Sequence, residues 1–409
     1  MNWKGHLEKE IAKFTEPEKE KLNAYCQGAT VSFSKKAPWV LKRLLSYKKF
    51  DWEISDILLL GRMSGYLTLA QSQGEIERLF VQMVQKDVSK EKLEELFPNI
   101  LDDYDEDVIK KIKLKDTIVP DAVKRNSIIA PLMASNNWVV AGKKTKSGLP
   151  ILSNDPHLEI NRLPTVWYEM QFELQDKAGY AATMPGISAM LIGRNKDVSW
   201  GATYTFMDAM DSWVEHCKDG KYLKDNAWHN FTVRNEIIKR KNDSSIELTI
   251  YENEHGFLEG NPFEEGFYLT NSWSGSLGGA NSIKNGLKIW NAKNVKEGMN
   301  ILGELEMSFN WVLADAQGNI GYQMSGLLPI RKNENSGFVP QIGWKKENDW
   351  QGFHSHQDLP RRYNPEEGYI ATANENLSTY GKVNPHTITM GNYRADRINN
   401  LIANQEKIT

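Results

Sequence analysis

The hydrophobic period of this chain changes once, near residue 135. Upstream, apolar residues recur at helical spacing over 18–25, 39–47, 57–69, 73–88 and 91–96. Downstream, NNWVVAG, LPILSND, TVWYEMQFEL and VSWGATY have strand composition or alternation. FNWVLADAQGNIGYQMSG reads as a hairpin, two apolar runs around a polar turn with Gly318 and Asn319. NSIKNGLKIWNAKNVKEGMNILGEL reads as largely helical, and residues 391–402 as a polar turn and a helix. Helices first, then many strands with a few helices, point to an α+β chain with a layered sheet core. Three regions follow: a helical portion over 1–100, a charge-rich, weakly periodic linker or spacer over 101–134, and a β-rich portion over 135–409.

The remaining composition mainly excludes. At 409 residues the chain is long enough for a large core. A net charge of −3, with both signs mixed along the chain, provides no basic field for nucleic acid. No run approaches the roughly eighteen apolar residues of a membrane span. The first residues, MNWKGHLEKEIAKF, are charged and lack an apolar signal core. Cys26 and Cys217 form neither a disulfide framework nor a metal spacing.

Several sources of chemistry are absent, among them G-x-S-x-G, H-E-x-x-H and the phosphate-binding G-x-x-x-x-G-K-[ST]. His354 and His356 have no evident third ligand, and a polar loop explains them better than a metal pair. The acidic residues between Asp102 and Asp107 lack the glycine of a calcium loop and read as a solvated segment.

The stretch MASNNWVVAG sets two amides at the head of an apolar strand. Taken singly, Ser135 is a strand-start serine, His157 a turn residue after Asn-Asp-Pro, Asn374 a turn residue, and Arg397 a surface arginine on a helix. Their register changes that reading. Ser135-Asn136-Asn137-Trp138-Val139-Val140 is followed by Ser153-Asn154-Asp155-Pro156-His157-Leu158. Then come Met184-Pro185-Gly186, Ile192-Gly193-Arg194-Asn195 and Ser199-Trp200-Gly201-Ala202-Thr203. Asp315 to Tyr322, Gly368 to Asn374 and Tyr393 to Ile398 complete the series. In this order the segments resemble the penicillin acylase (penicillin amidase) family of N-terminal nucleophile hydrolases, over nearly the whole chain.

The resemblance implies a four-layer α-β-β-α sandwich, incomplete at both ends in this chain, and an amidohydrolase for N-acylated small molecules: penicillins, N-acyl homoserine lactones or acyl peptides. It implies self-cleavage before Ser135, after which the two fragments stay associated. The new α-amino group, with a pKa of about 7.7–8.0, takes the hydroxyl proton through one water. The Tyr204 backbone N–H and the Asn374 side chain stabilise the oxyanion. His157 bonds the nucleophile region, Arg397 orients Asn374, and Leu158 favours an aliphatic acyl group. A structural calcium falls to Glu75, Asp208, the Met210 carbonyl and Asp211. No organic cofactor is implied, and the location is periplasmic or secreted. Ala134 stands where glycine is usual, which predicts slow cleavage. The shortness at both ends predicts a chain that is poorly stable or inactive alone. Two other readings stay open: an unprocessed relative that only binds ligand, and a tryptophan-rich carbohydrate-binding protein.

Overall fold

Ser135–Val140 is the central strand of a three-stranded antiparallel sheet, flanked by Ile151–Pro156 and Tyr369–Thr372. The computed structural model describes residues 2–36, 39–44, 51–115, 134–157, 166–175, 177–240, 242–334, 336–386 and 388–409.

A seven-stranded antiparallel sheet packs against this small sheet. Its spatial order is Arg361–Tyr363, Ile320–Ser325, Phe309–Asp315, Val198–Tyr204, Ile192–Arg194, Ala178–Thr183 and Tyr168–Glu173. Alternation along Phe309–Asp315 shows how both faces are covered. Val312 and Ala314 share a core with Val139 and Ile370 of the small sheet. Trp311 and Leu313 point the other way, into a core with Ile289, Val295, Met299 and Leu302. The second set belongs to the helical insertion, now two helices, Ala280–Lys288 and Val295–Gly303. A strand covered on both faces reads as a continuous apolar run, hence FNWVLAD. The expected hairpin is present, with Gly318 at φ 95° in its turn.

An eight-stranded sheet branches from the site. Its strand Met210–Lys218 lies between Gly266–Trp273 and Lys221–Lys224 and also pairs in parallel with Gln341–Ile342. Helix Gln71–Gln85 packs on it, with Phe80, Val81 and Val84 in a core with Val214, Leu269 and Phe338.

Among the described residues the helical portion has no core of its own. Phe14, Leu22, Cys26, Ile57 and Leu58 are buried together with Ile187, Ala189, Ala280 and Ile283 from later in the chain. Glu16–Lys36 outreaches its apolar periodicity over 18–25, and Ile54–Gly65 passes through a π turn, Tyr66–Ala70, into Gln71–Gln85. Residues 101–115 are fastened down, because Ile109 and Ile112 are buried and Ile112 bridges Phe267. Asp105 caps the short helix Glu106–Lys110 through the Val108 N–H, and Asp102 accepts from the Ser336 hydroxyl. The acidic cluster is therefore capping and anchoring, while residues 116–133 lie outside the described part.

Candidate active site

The order of the strands brings Ser135 to one end of the small sheet, beside the end of Val198–Tyr204 on the facing sheet. Asn154 ties the two sheets together. Its Nδ2 donates to the Asn136 and Ala202 carbonyls at 2.9 and 3.0 Å, and its Oδ1 accepts from the Ala202 N–H at 3.0 Å. Gly201 makes this approach possible: a Cβ there would come within 2.9 Å of both the Asn137 and Asn154 side chains. This accounts for the glycine in Trp200-Gly201-Ala202-Thr203.

Ser135 is 3% exposed and Asn374 is fully buried. Asn374 follows the strand Tyr369–Thr372 at φ 73°, a left-handed conformation that asparagine tolerates. Its amide is held at both ends. The oxygen accepts from the Ser135 N–H at 2.8 Å and from Arg394 Nη2 at 2.9 Å. The nitrogen donates to the Tyr204 carbonyl at 2.9 Å and lies 3.4 Å from Ser135 Oγ. Two donors at one end and a carbonyl at the other fix which atom is nitrogen. One N–H is spent on Tyr204 and the other faces the serine hydroxyl.

The arginine at this site is Arg394, a correction to the expected Arg397. Arg394 Nη1 donates to the Ser135 carbonyl and to Asn136 Oδ1, both at 2.8 Å, and Nη2 reaches the Ala373 carbonyl at 2.5 Å. Both arginines lie on helix Tyr393–Ala403, but Arg397 is nearly a turn further on and exposed. The sequence offered two arginines three apart; only the docking of the helix on its strand selects between them.

His157 is exposed, yet its backbone reaches the site: its N–H donates to the Ala134 carbonyl at 2.9 Å. Its ring lies 2.9 Å from Asp155, and that bond, chiefly, lowers the Asp155 pKa. Tyr204 ends its strand opposite Phe309, with its carbonyl taken by Asn374 and by Asn310 Nδ2. Two residues later Phe206 sits at φ 53°, a strained conformation for an aromatic residue. Leu158 lies outside the described residues.

A cavity of about 330 Å³ opens beside Ser135. Its wall is mainly apolar, with Leu58, Trp167, Met184, Ile187, Trp273 and Phe309 among its residues, and the π turn contributes Leu67 and Ala70. The helical portion therefore supplies part of the pocket.

The calcium set is rearranged. Asp208 and Asp211 are both buried, but the cation between them is Arg331, with Nη2 3.2 Å from Asp208 Oδ1 and 2.6 Å from Asp211 Oδ1. Burial pushes the Asp208 carboxyl up to about 6 against the pull of Arg331. Glu75 is turned away: it accepts from Gln71 on its own helix, while Glu77 lies beside the aspartates. Two residues of helix rotate a side chain by roughly 200°, so Glu75 and Glu77 meet different surroundings. Burial, then Asp211 and Asp208, raises the Glu77 pKa well above the usual range. This guanidinium-filled arrangement does not fit a bound calcium. His354 and His356 lie in a loop, where burial lowers both pKa values.

The fold is similar to that of a thermostable penicillin G acylase from Alcaligenes faecalis, with a TM-score of 0.61 and 24% identity, covering 67% of this chain and 50% of that one. The penicillin amidase family model matches residues 1–409, and the chain belongs to that family. Acyl-homoserine lactone acylase QuiP of Pseudomonas aeruginosa is 27% identical over 357 residues, 80% of this chain and 41% of that protein. Penicillin G acylase of Escherichia coli is 29% identical over 259 residues, 59% of this chain and 28% of that protein. The chain thus spans less than half the length of these two relatives. Among the described residues no helix is long and apolar enough to cross a membrane.

Proposed function

We propose that this chain forms part of a self-processing amidohydrolase that cleaves the acyl amide bond of N-acylated small molecules through Ser135. One observation carries the reading: an asparagine amide fixed by Tyr204 and Arg394 turns its remaining N–H toward a buried serine hydroxyl, at 3.4 Å. A structural serine needs no such partner held from both sides.

In the first step Ser135 Oγ attacks the Ala134 carbonyl carbon. The His157 N–H on the Ala134 oxygen supports charge forming there. The acyl group shifts from nitrogen to oxygen, and water cleaves the ester, freeing the Ser135 α-amino group and the Ala134 carboxylate. Burial of the helical portion against Ile187, Ala280 and Ile283 supports continued association of the two fragments.

In the second step the neutral α-amino group takes the Ser135 hydroxyl proton through one water, and Oγ attacks the substrate amide. Asn374 Nδ2 and the Tyr204 N–H stabilise the oxyanion, Arg394 holds Asn374, and the amine leaves with a proton. Water then hydrolyses the acyl-enzyme. The apolar cavity suits a hydrocarbon acyl group, and the relatives' names point to acyl-homoserine lactones or penicillin-type amides as the first substrates to try. A four-layer α-β-β-α sandwich and a periplasmic or secreted location belong to the same reading; the two packed sheets, with helices beside each, support the former.

Intact mass with N-terminal sequencing, wild type beside Ser135→Ala, is the test. A fragment beginning Ser-Asn-Asn-Trp in the wild type alone supports the proposal. A single uncut chain that still binds acyl ligands, and binds them equally as Ser135→Ala, would establish the binding-only alternative.

A further inference from the structure

We propose that Arg331 takes the structural role of a divalent cation in this chain, so that the scaffold behind the site is held without calcium. This rests on geometry away from Ser135 and holds whether or not the chain is a hydrolase.

Every carboxylate oxygen of the aspartate pair faces an N–H donor. Asp208 Oδ1 accepts from Gln73 Nε2 at 2.9 Å and lies 3.2 Å from Arg331 Nη2, and Oδ2 accepts from the Gly337 N–H at 2.7 Å. Asp211 Oδ1 accepts from Arg331 Nη2 at 2.6 Å, and Oδ2 from Arg331 Nε at 2.8 Å and Trp350 Nε1 at 2.6 Å. The Met210 carbonyl accepts from Gln73 at 3.3 Å, and the Asp208 carbonyl from Arg331 Nη2 at 2.9 Å. Calcium asks for six to eight oxygens converging at about 2.3–2.6 Å. Here Asp208 Oδ1, the Asp208 carbonyl and both Asp211 oxygens converge on the planar fork of Arg331, while Asp208 Oδ2 and the Met210 carbonyl are taken by Gly337 and Gln73; this suits a guanidinium held bidentate by one carboxylate.

The mechanical consequence matches that of a bound ion. Arg331 follows the strand Ile320–Ser325 of the seven-stranded sheet, Gln73 comes from the helical portion, Asp208 follows the strand that ends at Tyr204, and Asp211 opens the strand Met210–Lys218 of the eight-stranded sheet. Arg331 and Gln73 therefore converge on the aspartate pair from two parts of the chain, and the cluster ties three segments together near the end of the strand Val198–Tyr204. The fit is close: a Cβ on Gly337 would lie 2.1 Å from Asp211 Oδ1 and 2.6 Å from Arg331 Nη2.

The experiment measures calcium content and the thermal midpoint of the wild-type chain, with excess chelator and with millimolar calcium. The expected result is no stoichiometric calcium and one midpoint in both conditions. One tightly bound calcium per chain, or a midpoint several degrees lower in chelator, would overturn the proposal. Arg331→Met provides the second arm. Insolubility or a midpoint lower by several degrees is expected, because two buried carboxylates lose their counter-charge. A midpoint equal to wild type would show that the guanidinium does not hold the scaffold, and would sink the idea independently.

Discussion

Arg394 Nη2 lies 2.9 Å from Asn374 Oδ1, and the same guanidinium bonds the Ser135 carbonyl through Nη1 at 2.8 Å. One side chain thus sets the distance between the proposed nucleophile and the proposed oxyanion donor. Asn374 lies at a left-handed turn whose backbone does not itself dictate where the amide points.

This makes the two neighbouring arginines separable by experiment. Arg394→Lys keeps the charge but loses the planar fork, and the predicted fall in kcat/KM is about a hundredfold, the scale of a misplacement near 1 Å. Arg397→Lys, on the exposed face, is expected to stay within twofold of wild type, a range near the noise of surface substitutions. Acylase kinetics on the two variants side by side decide the matter.

Asn374→Ala removes the donor facing Ser135 Oγ. A loss of roughly 10²- to 10³-fold in kcat is expected, with KM little changed, since the interaction grows as the oxyanion forms. A variant that loses only substrate affinity would place Asn374 in binding rather than in stabilising the reacting atoms.

Ala134 precedes the cleavage point, and its carbonyl already accepts from the His157 N–H at 2.9 Å. Ala134→Gly widens the backbone conformations open to the strained peptide that an acyl shift requires. Self-cleavage is expected to speed up by roughly two- to fivefold, the factor for glycine's freedom over alanine. The time course of uncut mass after synthesis reads this directly.

His386 contributes a pH dependence. It is buried, its Nδ1 lies 2.9 Å from the Ser378 hydroxyl, and burial lowers its pKa to about 3. An unfolded histidine titrates near 6.5, so below that pH the unfolded chain binds a proton that the folded chain refuses. Stability is then highest above about pH 6.5 and falls on acidification, by about 1.4 kcal/mol per pH unit from this group, until the folded pKa near 3 is reached. His386→Gln should flatten that part of the denaturation profile between pH 6 and about 4; an unchanged slope would assign the acid sensitivity to other groups.

Much of this was already present in local pattern. The change of period near residue 135, the hairpin around Gly318 and Asn319 and the helix after Gly391 follow from propensity and turn chemistry over a few residues. The segments carrying Ser135, His157, Tyr204 and Asn374 keep a fixed order along the chain, and the structure sets Asn374 against Ser135 and the Tyr204 carbonyl and the His157 N–H on the Ala134 carbonyl. Arg397 against Arg394, and Glu75 against Glu77, are questions of helix phase, and a helix carrying polar residues on several faces does not say which one its neighbour will cover. Arg331 was invisible for a different reason: it lies 120 residues from Asp211, and no local signal marks a cation that arrives from another part of the fold. The sequence by itself determined the element types and the residues able to react. Which charges meet, which face of each helix is buried and what stands between two aspartates were decided by tertiary packing, because those energies exist only between segments distant along the chain.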